Sequence, residues 1–84
     1  MEDIRTRNED TYEIIAANIK SNRKKAKITQ AELAERSNYS HEFIRRIEAP
    51  NGKKYFSVDT LVKIANALDI KVECLLKGIS NEDK

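Results

Sequence analysis

The 84-residue sequence contains few of the residues that form turns or interrupt helices. It has two glycines, one proline and no tryptophan, and aromatic residues make up only 6% of the chain. An all-β fold needs many more turn-forming residues than this. The sequence is instead rich in Ile, Leu, Ala, Lys, Glu and Arg, which favour helices, so we predict an all-α domain.

The chain has a single cysteine, Cys74, and therefore no internal disulfide. Its apolar neighbours favour a buried thiol, and a reactive cysteine is the alternative. No apolar run approaches the roughly 20 residues of a membrane span. The N-terminal stretch MEDIRTRNED also lacks the apolar segment of a signal peptide. These features predict a cytoplasmic protein that does not associate with membranes.

Positive charge is concentrated in the middle of the chain. Residues 20–54 carry ten basic and four acidic side chains, a net charge of +6. The flanking segments are acidic, with −3 over residues 1–19 and −1 over residues 55–84. This segregation indicates an anionic partner for the central segment, and a solvated charged face is the alternative.

Hydrophobic spacing and capping signals predict five helices. Residues 1–10 are charged and without pattern, which indicates a flexible arm. Asp10 and Glu13 have capping-box spacing, so helix one is expected to begin at Thr11. Its inward-facing residues are Tyr12, Ile15, Ala16 and Ile19.

A second capping box, Thr29 with Glu32, predicts helix two over residues 30–37. Its inward-facing residues are Ala31, Leu33 and Ala34. Asn38 tolerates the left-handed conformation and can end this helix tightly. Ser40 is then expected to cap a third helix.

Helix three is predicted to run to Glu48, with Ile44 and Ile47 facing the core. Pro50, Asn51 and Gly52 indicate a loop. The remaining elements are a fourth helix capped by Ser57, a fifth helix over roughly residues 72–77, and a frayed tail over residues 80–84.

Helices two and three are separated by a turn of about three residues, the arrangement of a helix-turn-helix, whose second helix can enter the DNA major groove. On this third helix, Glu42, Arg45 and Arg46 point away from the core. Arginine can contact guanine O6 and N7 together. Glu42 either accepts a hydrogen bond from cytosine N4 or pairs with one of the two arginines.

The segment TQAELAERSNYSHEFIRRIE, residues 29–48, resembles the phage repressor/Cro-type (XRE-like) helix-turn-helix family. The resemblance covers residues 12–78, and SVDTLVKIANALDI is similar to the fourth helix of the family and its following turn. The matching positions are Arg23, Ile28, Thr29, Gln30, Leu33, Ala34, Tyr39, Ser40, Ile44, Ile47 and Glu48. It implies a compact five-helix repressor-like domain over residues 11–79, with the helix-turn-helix formed by helices two and three.

The resemblance also implies roles for individual residues. The expected base-reading residues are His41, Glu42 and Arg46, with Arg45 and Phe43 as secondary candidates. The expected phosphate-binding residues are Gln30, Ser40, Lys27, Lys53 and Lys54. Arg23 and Glu48 resemble an internal ion pair of the family, and a phosphate contact by Arg23 is the alternative.

The residues from which catalytic and metal sites are built are scarce. The chain has one histidine and one cysteine, no His or Cys pair with metal-ligand spacing, and no glycine-rich phosphate loop. His41 lies beside Glu42, but a helix-turn-helix surface offers no pocket for a general base. We therefore predict no enzymatic activity, no metal and no cofactor. A partly charged His41 would make DNA binding sensitive to pH, and a passive surface histidine is equally consistent.

The implied function is that of a sequence-specific regulator of transcription that binds double-stranded DNA, with repression by operator occupancy expected. Members of the family use two half-sites, which implies a homodimer. The dimer interface is expected on the N-terminal arm around Ile4 or on helix five, with core packing as the alternative for the helix-five residues. These helix-five residues are Val72, Leu75, Leu76 and Ile79.

Two other functions fit the same fold. One is an antitoxin-type protein that binds DNA and also a protein partner, although 84 residues leave room only for the arm and the last helix as its binding region. The other is an interaction module that no longer binds DNA. The basic central segment and the polar face of helix three argue against this second possibility.

Overall fold

The computed structural model describes residues 4–50 and 55–79, and only the backbone of residues 4–10. These described residues form five α-helices and no strand, which confirms the predicted all-α class. The helices are α1 (Ile4–Lys25), α2 (Gln30–Ser37), α3 (His41–Glu48), α4 (Val58–Ala67) and α5 (Val72–Leu75). The expected frayed tail lies outside the described residues.

Helix α1 begins earlier than predicted. It starts at Ile4 instead of Thr11, so residues 4–10, which were expected to belong to an irregular arm, are helical. The segment contains neither glycine nor proline, and nothing in its backbone chemistry ends the helix at residue 10. Asp10 and Glu13 therefore lie inside the helix. Their capping-box spacing did not mark a helix start, because the same spacing also occurs within helices.

Helices α2, α3 and α4 each begin at the predicted cap. Thr29 Oγ1 accepts a hydrogen bond from the Glu32 N–H at 3.0 Å, and the Glu32 carboxylate accepts one from the Thr29 N–H at 2.7 Å. Ser40 and Ser57 accept from the backbone N–H three residues further on, at 3.0 and 3.1 Å. Each cap satisfies a backbone donor left unpaired by the helix and contributes about 1 kcal/mol.

The turn between α2 and α3 is closed by Asn38. Its φ of 65° and ψ of 34° place it in the predicted left-handed conformation. The N–H of Tyr39 then donates to the Ala34 carbonyl at 2.9 Å. Because these bonds satisfy the last carbonyls of α2, the chain can start α3 after only three residues.

All five helices contribute to one hydrophobic core. Each helix supplies one aliphatic side chain with 0% exposure: Ile19, Leu33, Ile44, Ile64 and Leu75, in chain order. Full burial of such a side chain contributes about 1.5–3 kcal/mol. The core therefore holds α3 by its apolar side and leaves its other side free.

Helix α2 differs from the prediction at Ala31, which is exposed. Ala31 lies two residues before Leu33, and at about 100° per residue the two side chains point to nearly opposite sides. The third buried position of α2 is Ser37, whose hydroxyl donates to the Leu33 carbonyl at 2.7 Å. A serine whose hydrogen bond is satisfied within its own helix can thus be buried.

Helix α5 is a single turn over Val72–Leu75, shorter than predicted. Lys71 at its N-cap makes no side-chain cap hydrogen bond. The turn is instead tied to α1 by Asn18, whose amide donates to the carbonyls of Leu75 and Lys77, both at 2.8 Å. Cys74 is only half-buried, so the expectation of a buried thiol was wrong. Leu75 takes the core position of this turn.

We expect Asn18→Ala to lower the free energy of unfolding by about 1–2 kcal/mol, because two carbonyls lose their donor. Urea denaturation measures the change. Asn66→Ala is the matched control, since Asn66 is exposed on α4 and its side chain makes no hydrogen bond to a described residue. Equal losses in the two variants would show that the Asn18 bonds do not stabilise α5.

Candidate nucleic-acid interface

Helix α3 has one buried side and one exposed side. Ile44, Ile47 and Glu48 are buried. The exposed side is entirely polar and consists of His41, Glu42, Arg45 and Arg46. A helix anchored by its apolar side can present such a polar side to the edges of bases in a major groove.

The two central residues of this exposed side form an ion pair. Arg45 Nη2 lies 2.6 Å from Glu42 Oε1, and the two side chains are 60% and 62% exposed. The sequence allowed Glu42 either to contact cytosine or to pair with an arginine, and the structure contains the ion pair. An exposed pair of this kind contributes at most about 1 kcal/mol to stability. Arg46 has no hydrogen-bond or ion-pair partner within the described ranges.

Phe43 lies at the edge of the core and is half-buried. Its ring packs against the ring of Tyr39, with centroids 4.6 Å apart. The Tyr39 hydroxyl in turn donates to Thr60 Oγ1 at 3.0 Å, and Lys63 Nζ lies 5.6 Å from the centre of the Tyr39 ring. Phe43 thus has a packing role between the turn and α3 that its sequence position did not indicate.

A buried ion pair joins the end of α1 to the end of α3. Arg23 Nε lies 2.7 Å from Glu48 Oε2, and Arg23 Nη2 lies 3.0 Å from Glu48 Oε1. The third nitrogen, Nη1, donates to the Ile28 carbonyl at 2.8 Å. All three guanidinium nitrogens are engaged in a side chain that is 11% exposed, which favours the structural reading of Arg23 over a phosphate contact.

Gln30 joins the same cluster. Its amide Nε2 donates to Glu48 Oε1 at 3.0 Å, so the group expected to contact a phosphate is bound to the end of α3. A phosphate could still accept from the second N–H of the Gln30 amide. It could also accept from the backbone N–H groups at the start of α2. Residues 30 and 48 are too far apart in sequence for a local pattern to reveal this contact.

The other predicted phosphate-binding residues are Lys27, Ser40, Lys53 and Lys54, and the structure describes the first two. Lys27 is exposed just before α2 and has a positive φ of 61°. Ser40 uses its hydroxyl oxygen to cap α3. Lys53 and Lys54 lie outside the described residues.

The turn of the helix-turn-helix is also fastened to α4, which the sequence did not reveal. Thr60 Oγ1 accepts from the Tyr39 hydroxyl and lies 3.0 Å from Ser57 Oγ, the cap of α4. Tyr39 itself is half-buried. These hydroxyl groups hold the turn and the start of α4 together.

The fold and the polar side of α3 define a helix-turn-helix domain. A family model described as helix-turn-helix, of the XRE/Cro/C1 type, matches residues 19–73, and the chain belongs to this family. No curated protein and no solved structure matches the chain. The protein is a DNA-binding transcription regulator, and its family is typically non-enzymatic. None of the helices in the described part of the chain is long and apolar enough to cross a membrane.

Proposed function

We propose that this protein is a repressor that binds a specific operator as a homodimer and blocks transcription by occupying it. The observation that carries the proposal is the division of α3 into an apolar side held in the core and a side made only of polar and charged residues. A helix of this kind can enter the major groove without disturbing the packing of the domain.

Base recognition is assigned to His41, Glu42 and Arg46, with Arg45 and Phe43 as further candidates. Arg46 supports this assignment best, because its guanidinium has no partner among the residues that the structure describes and five N–H donors to offer. A bidentate contact with guanine O6 and N7 contributes about 1–3 kcal/mol of discrimination. Phe43, being half-buried, would contribute through one edge of its ring only.

Phosphate binding is assigned to the start of α2 and the residues around it. The N-terminus of a helix favours an anion, and Lys27 adds a positive charge just before α2. The remaining phosphate contacts are proposed for Gln30, Ser40, Lys53 and Lys54. These contacts would set affinity and its salt dependence, since they carry no sequence information.

Dimer formation is proposed from the two half-sites that such domains use. Of the helix-five residues considered for the interface, Leu75 is fully buried in the core, and Val72 and Ile79 are half-buried against it. Leu76 is 39% exposed, so it is the most accessible of the four to a second copy. The other expected position of the dimer interface is around Ile4, whose side chain lies outside the described part of the structure.

We expect Arg46→Ala and Lys27→Gln to weaken DNA binding in different ways. Arg46→Ala should cost about 1–3 kcal/mol on the operator and relax the preference at one base-pair position. Lys27→Gln should weaken binding to all sequences similarly and make the slope of log K against log salt shallower by about 1. Titrations of operator and unrelated duplexes at several salt concentrations measure both. Equal losses on every sequence for both variants would contradict base reading by α3.

Selection of bound sequences from a random duplex library, repeated at two salt concentrations, tests the proposed function directly. A two-fold-related motif is expected. The opposing result is binding without any motif that disappears as the salt concentration rises. That result would favour a protein partner as the main ligand, as in the interaction-module alternative, and co-purification would then identify the partner.

A further inference from the structure

We propose that Glu42 and Arg45 act as one unit that reads a single C·G base pair. This inference rests on the proposed function, with α3 in the major groove. It starts from the 2.6 Å contact between Arg45 Nη2 and Glu42 Oε1, which joins two side chains that are both well exposed on the polar side of α3.

The pairing explains how a carboxylate can be placed against DNA. An isolated Glu42 would be repelled by the phosphates on both sides of the groove. Arg45 neutralises it, and the position of Glu42 in the first turn of α3 places the carboxylate near the positive end of the helix dipole. The pair therefore enters the groove without net charge and with the carboxylate held in place.

The pair keeps hydrogen-bonding groups to offer to a base pair. Their contact uses Oε1 of Glu42 and Nη2 of Arg45. Glu42 Oε2 has no hydrogen-bond partner in the described part of the chain, and an ionised carboxylate only accepts. Arg45 retains Nε and Nη1 as donors. The ion pair thus offers a base pair one hydrogen-bond acceptor, on Glu42, next to hydrogen-bond donors on Arg45.

A C·G pair presents the complementary pattern in the major groove. Cytosine offers the N4 amine as a donor, and guanine offers O6 and N7 as acceptors next to it. Adenine also has an amine, N6, but its neighbouring N7 acceptor would repel the second carboxylate oxygen. Thymine offers only an acceptor and a methyl group to Glu42. The carboxylate therefore selects cytosine, while Arg45 binds the guanine across the pair.

The test compares the wild-type protein with Glu42→Ala, Arg45→Ala and the double variant. Each is put through selection from a random duplex library and then titrated on the selected operator. The second duplex of each titration carries T·A in place of the C·G pair. The wild type should prefer C·G at one position of each half-site by about tenfold or more. Each single variant should lose this preference at that position alone, and the double variant should lose no more than either single variant.

Glu35→Ala and Arg36→Ala are matched controls, because both residues are exposed on α2 and undergo the same changes in charge. They should leave the selected motif unchanged. Thermal unfolding of each variant is expected to stay near wild type, because the substituted side chains lie at the surface.

Two results would overturn the inference and leave the proposed function in place. In one, Glu42→Ala binds every duplex more tightly with an unchanged motif, so that the carboxylate only neutralises Arg45. In the other, the two single variants relax different base pairs, so that the residues read independently. A wild-type protein that selects no motif would overturn the proposed function, and the inference with it.

Discussion

Glu48→Ala is expected to lower the free energy of unfolding by about 3–5 kcal/mol, because the substitution leaves the Arg23 guanidinium buried without its carboxylate. Glu48 is 7% exposed and accepts hydrogen bonds from Arg23 and from Gln30. The substitution therefore weakens the contacts of α3 with both α1 and α2. Urea denaturation of the purified protein measures the loss.

Glu42→Ala provides the control for this experiment. Like Glu48, Glu42 is a carboxylate of α3 that pairs with an arginine, in this case Arg45. The Glu42–Arg45 pair is exposed, so the expected loss is below about 1 kcal/mol. A double variant, Arg23→Met with Glu48→Leu, should recover most of the stability, since apolar side chains of similar volume can replace a buried ion pair. Similar losses for Glu48→Ala and Glu42→Ala would mean that the Arg23–Glu48 pair does not hold the helices together.

Leu75→Ala should lower the free energy of unfolding by about 2–5 kcal/mol, the range for a buried leucine whose removal leaves a cavity. Leu75 is 0% exposed, although it lies in a helix of a single turn near the end of the described residues. Its neighbour Leu76 is 39% exposed. Leu76→Ala therefore makes the same chemical change at a position where little burial is lost, and we expect a change below about 1 kcal/mol.

Repeating these measurements at several protein concentrations separates core packing from an interface. If Leu75 stabilises the fold of one chain, its effect should not depend on protein concentration. If α5 stabilises the protein mainly through a dimer, the unfolding midpoint should rise with concentration, and Leu76→Ala should remove that dependence. A concentration-independent midpoint together with a large effect of Leu76→Ala would contradict the burial of the two residues.

The parts of the fold that the sequence predicted well depend on residues close together in the chain. Thr29, Ser40 and Ser57 each cap a helix through an N–H three residues away, and Asn38 closes a turn through its own backbone conformation. Local chemistry is enough for such features. Local signals failed where they were ambiguous, as at Asp10, whose capping-box spacing lies within α1.

The candidate site was predicted less evenly. The hydrophobic period of α3 identified its exposed residues correctly, because Ile44 and Ile47 mark the opposite side. The Arg23–Glu48 pair came from resemblance to a family and is present in the structure. For Glu42 the sequence left two readings open, and only the structure showed its contact with Arg45.

Composition and spacing by themselves determined the helical class, the positions of α2, α3 and α4, and the polar side of α3. The tertiary structure alone decided that Gln30 donates to Glu48 and that Asn18 holds α5 against α1. The difference has a physical reason. Helix period and capping act over three or four residues. The Gln30–Glu48 contact spans 18 positions of the sequence and the Asn18–Leu75 contact spans 57, so the partners meet only after the core has formed.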